Sequence, residues 1–240
     1  MNLTLRREYL AALNLQAWVV RSDTVVVAPE TSTAGGMIGA GGTIGVREGG
    51  GAREADASWP ELRTRVAACM RCTLSSTRTQ TVFGVGSSQA EWLIVGEAPG
   101  AEEDRQGEPF VGRAGQLLNS MLRAIGLKRE QVFIANVLKC RPPANRDPTA
   151  IEAAECLPYL EQQIALLKPK IMLAVGRIAA QNLLRTDVTL GRLRQQVHHF
   201  GVFKVPLVAT YHPGYLLRTP GDKRKAWEDL KFAREVCSRV

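Results

Sequence analysis

Four cysteines carry the first chemical signal: Cys69 and Cys72 form a Cys-x2-Cys pair, and Cys140 and Cys156 a Cys-x15-Cys pair. Four thiolates suit one metal centre, and by spacing alone Zn²⁺ and an iron–sulfur cluster fit equally well. The fifth cysteine, Cys237, stands outside any motif. An odd count in a cytosolic setting disfavours a disulfide framework. The run Gly96-Glu97-Ala98-Pro99-Gly100, with Glu102-Glu103-Asp104 after it and Gly107-Glu108-Pro109-Phe110-Val111-Gly112-Arg113-Ala114-Gly115 beyond, is the second signal. Glycine there lets backbone amides approach a ligand closely. Neither a P-loop lysine nor a dinucleotide fingerprint accompanies it, which disfavours a small-molecule nucleotide enzyme. Taken alone, the first five residues read as a plain strand-to-helix turn.

Two further groups stand where strands should end. Asn136 precedes Lys139-Cys140-Arg141-Pro142-Pro143, and its amide can donate and accept at once, as the edge of a base requires. By itself it reads more often as a turn-former or cap. His212, one of three histidines, opens Pro213-Gly214-Tyr215-Leu216-Leu217-Arg218. A lone histidine is more often structural, but here two leucines could wedge into a base stack and Arg218 could meet a phosphate.

The elements that must position these residues alternate along the chain. Residues 92–95, 132–135, 171–175 and 205–209 are short, apolar and β-branched, and read as strands buried on both faces. Helical periodicity covers 114–125, 149–167, 177–184 and about 222–236. The expectation is an α/β fold with a central four-stranded parallel sheet flanked by helices. In such sheets ligands sit beyond the carboxyl ends of the strands, where Gly96-Glu97, Asn136, Gly176 and His212 fall.

Upstream, residues 1–27 are read as an extension with an amphipathic helix over 6–19. Residues 28–59, with nine glycines, are read as a flexible linker. The folded domain is expected over 60–240. The extension is either a partner-binding helix or a dispensable tail. Charge is uneven: residues 1–60 hold 5 Lys/Arg and 6 Asp/Glu, whereas 61–240 hold 26 and 17. The folded part therefore carries the positive excess that a polyanion-binding surface needs. No apolar run is long enough to span a bilayer and no secretory signal opens the chain, so a cytoplasmic protein away from membranes is expected.

Together, GEAPG with EED, GEPFVGRAG, NVLKCRPP, HPG and the cysteine spacing resemble the family 4, iron–sulfur type of uracil-DNA glycosylase over about residues 60–235. The resemblance implies a [4Fe–4S] cluster on Cys69, Cys72, Cys140 and Cys156, with Lys139 and Arg141 flanking a ligand on a DNA-facing loop. It implies uracil flipped from single- or double-stranded DNA and hydrolysed from its sugar, with no nucleotide cofactor. Leu216 would fill the vacated stack, with Leu217 as the neighbouring candidate and Arg218 on the DNA. Phe110 would stack on the base and Asn136 would read its O4/N3 edge. His212 would donate to O2, and Glu97 and Glu103 would jointly handle water or the sugar cation. Ala98 stands where better-known uracil glycosylases carry the aspartate of GQDPY, and Gly100 where they carry its methyl-blocking tyrosine. A covalently trapped uracil-DNA-binding relative carries GEQPG and an inserted KRRIH segment, whereas residues 145–149 here lack histidine. A non-catalytic iron–sulfur or zinc DNA-binding module would need the cysteines and basic surface without Glu97, Phe110, Asn136 and His212 together.

Overall fold

A computed structural model describes residues 58–240. The expected N-terminal helix and nearly all of the glycine-rich linker lie outside the described residues. The last two linker positions belong to the fold: Ser58 caps, and Trp59 opens, helix α1 (Trp59–Ala67). The Ser58 amide donates to Glu61 Oε2 at 2.7 Å, and Pro60 occupies the first turn, where its missing N–H costs nothing.

The sheet has six strands rather than four. In chain order they are β1 (Val85–Gly86), β2 (Trp92–Gly96), β3 (Phe133–Asn136), β4 (Ile171–Val175), β5 (His198–Phe200) and β6 (Val205–Thr210). Their spatial order is β1-β3-β2-β4-β6-β5. The central four are parallel and coincide with the four apolar runs; β1 and β5 add antiparallel edges. The edges escape sequence reading because β1 has two residues and β5 is His-His-Phe, neither a continuous apolar run.

Period-two alternation divides the strands between two cores. Leu93, Val95, Phe133, Ala135, Met172, Ala174, Leu207 and Ala209 pack to one side, with Leu160 and Ile164 of α4 (Ala150–Leu167) and Leu183 of α5 (Arg177–Leu184). Ile94, Ile134, Leu173, Val175 and Val208 pack to the other, with Leu118 and Leu122 of α3 (Arg113–Ala124) and Leu230 and Ala233 of α8 (Lys223–Ser238). Between them come three short helices, α2 (Ala101–Gln106), α6 (Leu190–Leu193) and α7 (Pro213–Arg218). Helix α4 starts on a reciprocal cap, Glu152 N–H to Thr149 Oγ1 at 3.2 Å and Thr149 N–H to Glu152 Oε2 at 2.9 Å. No helix among the described residues is long and apolar enough to cross a membrane.

Parallel register brings the loops after β2, β3, β4 and β6 to one end of the sheet. Gly96 pairs with Asn136, and Val175 with Thr210. Behind β6, the fully buried Asp229 accepts from Thr210 Oγ1 at 2.8 Å and from Arg194 Nε at 2.7 Å. That network fixes the strand end from which His212 emerges.

Candidate active site

A cavity of about 400 Å³ opens at the carboxyl end of the parallel strands. Glu97, Ala98, Gly100, Glu103, Phe110, Asn136, His212 and Arg218 all line it, so eight of the candidate residues share one space. The size lies within the range of roughly 300–1,000 Å³ usual for small-molecule pockets.

Close approach governs its floor. A Cβ on Gly96 would stand 2.4 Å from Asn136 Oδ1 and 2.8 Å from the Phe110 ring. Glycine at 96 therefore lets the amide and the ring face the same spot. Asn136 is buried, and its carbonyl accepts from Lys139 Nζ at 2.9 Å. Phe110 adopts φ +54°, a left-handed backbone that costs a non-glycine residue about 1–2 kcal/mol. Its ring lies 5.7 Å from that of His212, tilted by 32°.

His212 caps α7, and its Nδ1 accepts from the Gly214 amide at 3.1 Å. That bond fixes the tautomer: the proton sits on Nε2, which is left to donate. Burial, with help from the Arg218 cation, pushes the imidazole down to about 4, while Glu103 pulls the other way. The ring is therefore neutral at pH 7. It offers a hydrogen bond to developing negative charge without carrying charge of its own.

The two carboxylates differ. Glu103 Oε1 accepts from the amides of Val111 at 3.1 Å and Gly112 at 3.4 Å, and a Cβ on Gly100 would meet its Oε2 at 2.7 Å. Glu103 is thus committed to holding the glycine loop and filling the space beside Gly100. Among the described residues Glu97 has no hydrogen-bond donor paired to its carboxylate. Burial, reinforced by Asp147 and opposed by Arg177, pushes it up to about 7.

Two expected DNA contacts separate. Leu216 is 1% exposed and packed in the second core, whereas Leu217 is 36% exposed. A wedge at Leu216 would have to leave its own core, so its burial argues against that role. Lys139 also departs from expectation. It is 1% exposed and therefore turned away from any DNA-facing surface, its ammonium donating to Asn136 O and to Gln163 Oε1 at 2.7 Å. Arg141 bonds Asn145 Oδ1 at 2.7 Å. Sequence reasoning missed Arg146, which lines the cavity while its guanidinium pairs with Glu152 at 2.8 and 2.6 Å.

The cysteines gather on the first core's side. Cys69 follows α1, Cys140 follows β3 and Cys156 lies on α4. Cys69 and Cys72 lie within electrostatic reach of Cys140, and Cys69 and Cys140 within reach of Cys156. Arg78 Nη1 donates to Cys140 Sγ at 3.0 Å, and its Nη2 to the carbonyl of Cys69 at 2.8 Å. The Lys139 amide donates to Cys156 Sγ at 3.2 Å. Burial pushes the Cys156 thiol up to about 11. Among the described residues no three His, Cys, Asp or Glu side chains stand close enough to share a single metal ion.

These groups stand at the carboxyl edge of a mostly parallel α/β sheet, and the model of the uracil DNA glycosylase superfamily matches residues 83–231. A type-4 uracil-DNA glycosylase of Archaeoglobus fulgidus is 43% identical over 188 residues, covering 76% of this chain and 94% of its own length. One from Thermotoga maritima is 41% identical over 179 residues, covering 73% and 92%. A type-5 uracil-DNA glycosylase of Pyrobaculum aerophilum is 31% identical over 149 residues, covering 55% and 64%. The chain belongs to the type-4 uracil-DNA glycosylases.

Proposed function

We propose that this protein excises uracil from DNA as a monofunctional DNA N-glycosylase, leaving an abasic site for repair. Family membership supports that activity, and the observation that carries the site assignment is the convergence of Glu97, Phe110, Asn136 and His212 on one cavity. The flipped base stacks on Phe110, and aromatic stacking is worth about 1–3 kcal/mol per base. The Asn136 amide reads the O4/N3 edge, where cytosine presents the opposite donor pattern. As the C1′–N1 bond breaks, uracil leaves as an anion whose O2 accepts from His212 Nε2–H. A neutral donor oriented before the reaction stabilises that charge without reorganising. Water adds to C1′ and gives its proton to Glu97, a base poised near the working pH. Glu103, held by two amides, shapes the wall beside Gly100, where the thymine methyl is refused. Arg218 meets backbone phosphate, and Leu217 takes the wedge role in place of the buried Leu216.

Cys69, Cys72, Cys140 and Cys156 would hold a [4Fe–4S] cluster. The donor set supports this: Cys69 and Cys72 lie within electrostatic reach of Cys140, Cys69 and Cys140 within reach of Cys156, and the two buried thiols, Cys140 and Cys156, each accept from an N–H donor. When bound, the cluster supplies thiolate–iron bonds that tie α1, the post-β3 loop and α4 together. The protein's own residues do the rest: Arg78 neutralises sulfur charge, and Lys139 carries the tie to the Asn136 carbonyl.

The deciding experiment incubates the purified protein with a uracil-containing oligonucleotide and then cleaves abasic sites with alkali. Uracil release without divalent metal or nucleotide is expected; no strand cleavage by protein with its cysteine centre filled would end the enzyme assignment. A brown protein with visible thiolate-to-iron absorbance, lost together with thermal stability in Cys156→Ser, is the expected sign of iron rather than zinc.

A further inference from the structure

Phe110 stands in a backbone conformation that its side chain disfavours, yet its ring faces Asn136 and His212 in the cavity. Something must hold it there. Two features meet its peptide. Gly115 lacks the Cβ that would fall 1.7 Å from the Phe110 carbonyl oxygen, so α3 begins close against it. Arg129, in the short 3₁₀ turn before β3, donates from Nη2 to Pro109 O at 2.6 Å and from Nη1 to Phe110 O at 3.4 Å. Nη1 also meets Asn119 Oδ1 of α3 at 3.2 Å. One planar guanidinium therefore ties two successive carbonyls to the helix behind them, a geometry suited to arginine's fixed fork of donors.

We infer that Arg129 is a positioning residue for base stacking, its guanidinium clamping the Pro109 and Phe110 carbonyls so that Phe110 keeps the left-handed turn that presents its ring to the flipped base. The inference rests on the assignment of Phe110 as the stacking residue. Arg129 does not line the cavity, so it acts on the base only through Phe110. Without the clamp the residue relaxes toward ordinary backbone angles and the ring swings away from the base.

The test is a double-mutant cycle on Arg129→Gln and Phe110→Ala, with single-turnover uracil release, inhibition by free uracil, affinity for uracil-free DNA and thermal unfolding measured for each protein. R129Q is expected to slow release about 5- to 30-fold, the factor corresponding to the strain of one left-handed non-glycine residue. It weakens inhibition by free uracil by a similar factor and leaves affinity for uracil-free DNA unchanged. In the F110A background R129Q adds less than about twofold, because residues acting through one contact are not additive. Arg129→Lys, whose single ammonium keeps the charge but not the fork, restores part of the loss. It also serves as the test protein if R129Q does not fold. Additive losses, or weakened DNA affinity with uracil inhibition intact, overturn the inference. Wild-type release by F110A itself removes the stacking assignment and the clamp with it, an outcome distinct from additivity.

Discussion

The carboxylate that activates water can be identified from how the rate depends on pH. Burial holds Glu97 up to about 7, with Asp147 adding to the effect and Arg177 opposing it. A base works only when ionised, so the rate of uracil release falls as pH drops through that value. Only about a quarter of Glu97 is ionised at pH 6.5 and about nine tenths at pH 8, and further down the rate falls about tenfold per pH unit. Loss of fold does not produce this limb. A raised carboxyl pKa makes the native state the better proton binder between 4.5 and about 7, so acidification through that window strengthens folding through Glu97. His212 works in the other sense: its pKa is depressed from 6.5 to about 4, so its contribution is complete above 6.5 and lost as pH falls toward 4. Single-turnover release between pH 6.5 and 8.5 isolates Glu97 from that loss. Glu97→Gln is expected to abolish the limb along with most of the rate. Asp147→Asn moves it to lower pH, since it removes a neighbouring negative charge and frees Arg177, now paired with Asp147 at 3.1 Å. A wild-type rate that stays flat down to pH 6.5, or an E97Q enzyme that keeps the same limb, refutes the assignment.

The two leucines of α7 should separate stability from base flipping. Leu216→Ala empties a packed site and costs about 2–5 kcal/mol in chemical denaturation. Leu217→Ala leaves the denaturation midpoint in place but slows release from duplex more than from single-stranded DNA. The reverse pattern would return the wedge to Leu216. His212→Ala removes one oriented donor and is expected to lower the single-turnover rate about 10²- to 10³-fold with little change in affinity for uracil-free DNA; a loss confined to DNA affinity would exclude the donor role.

Residues whose chemistry is spent locally were legible in the sequence; those whose meaning depends on packing were not. The four central strands announce themselves because both faces are buried, which forces unbroken apolar runs. Once those strands are parallel, topology carries Gly96, Asn136 and His212 to a common edge. Lys139 flanks a cysteine on a loop expected to face DNA, and only the fold supplies the Gln163 side-chain oxygen and Asn136 carbonyl that keep its ammonium buried. Leu216 and Leu217 are identical letters in a row, and helical phase alone decides which one faces the core. Arg129 lies in a connection without any motif; its partners are carbonyls, which leave no mark in a sequence.

Position 100 and position 103 share one space. A bare α-carbon at the first leaves the berth that the anchored acid of the second occupies, and even a methyl at Gly100 would intrude on Glu103 Oε2. Either exchange made singly is expected to disturb the loop that the pair shapes. A bulky ring arriving first meets a resident carboxylate, and the carboxylate leaving first strips the Val111 and Gly112 amides of their acceptor.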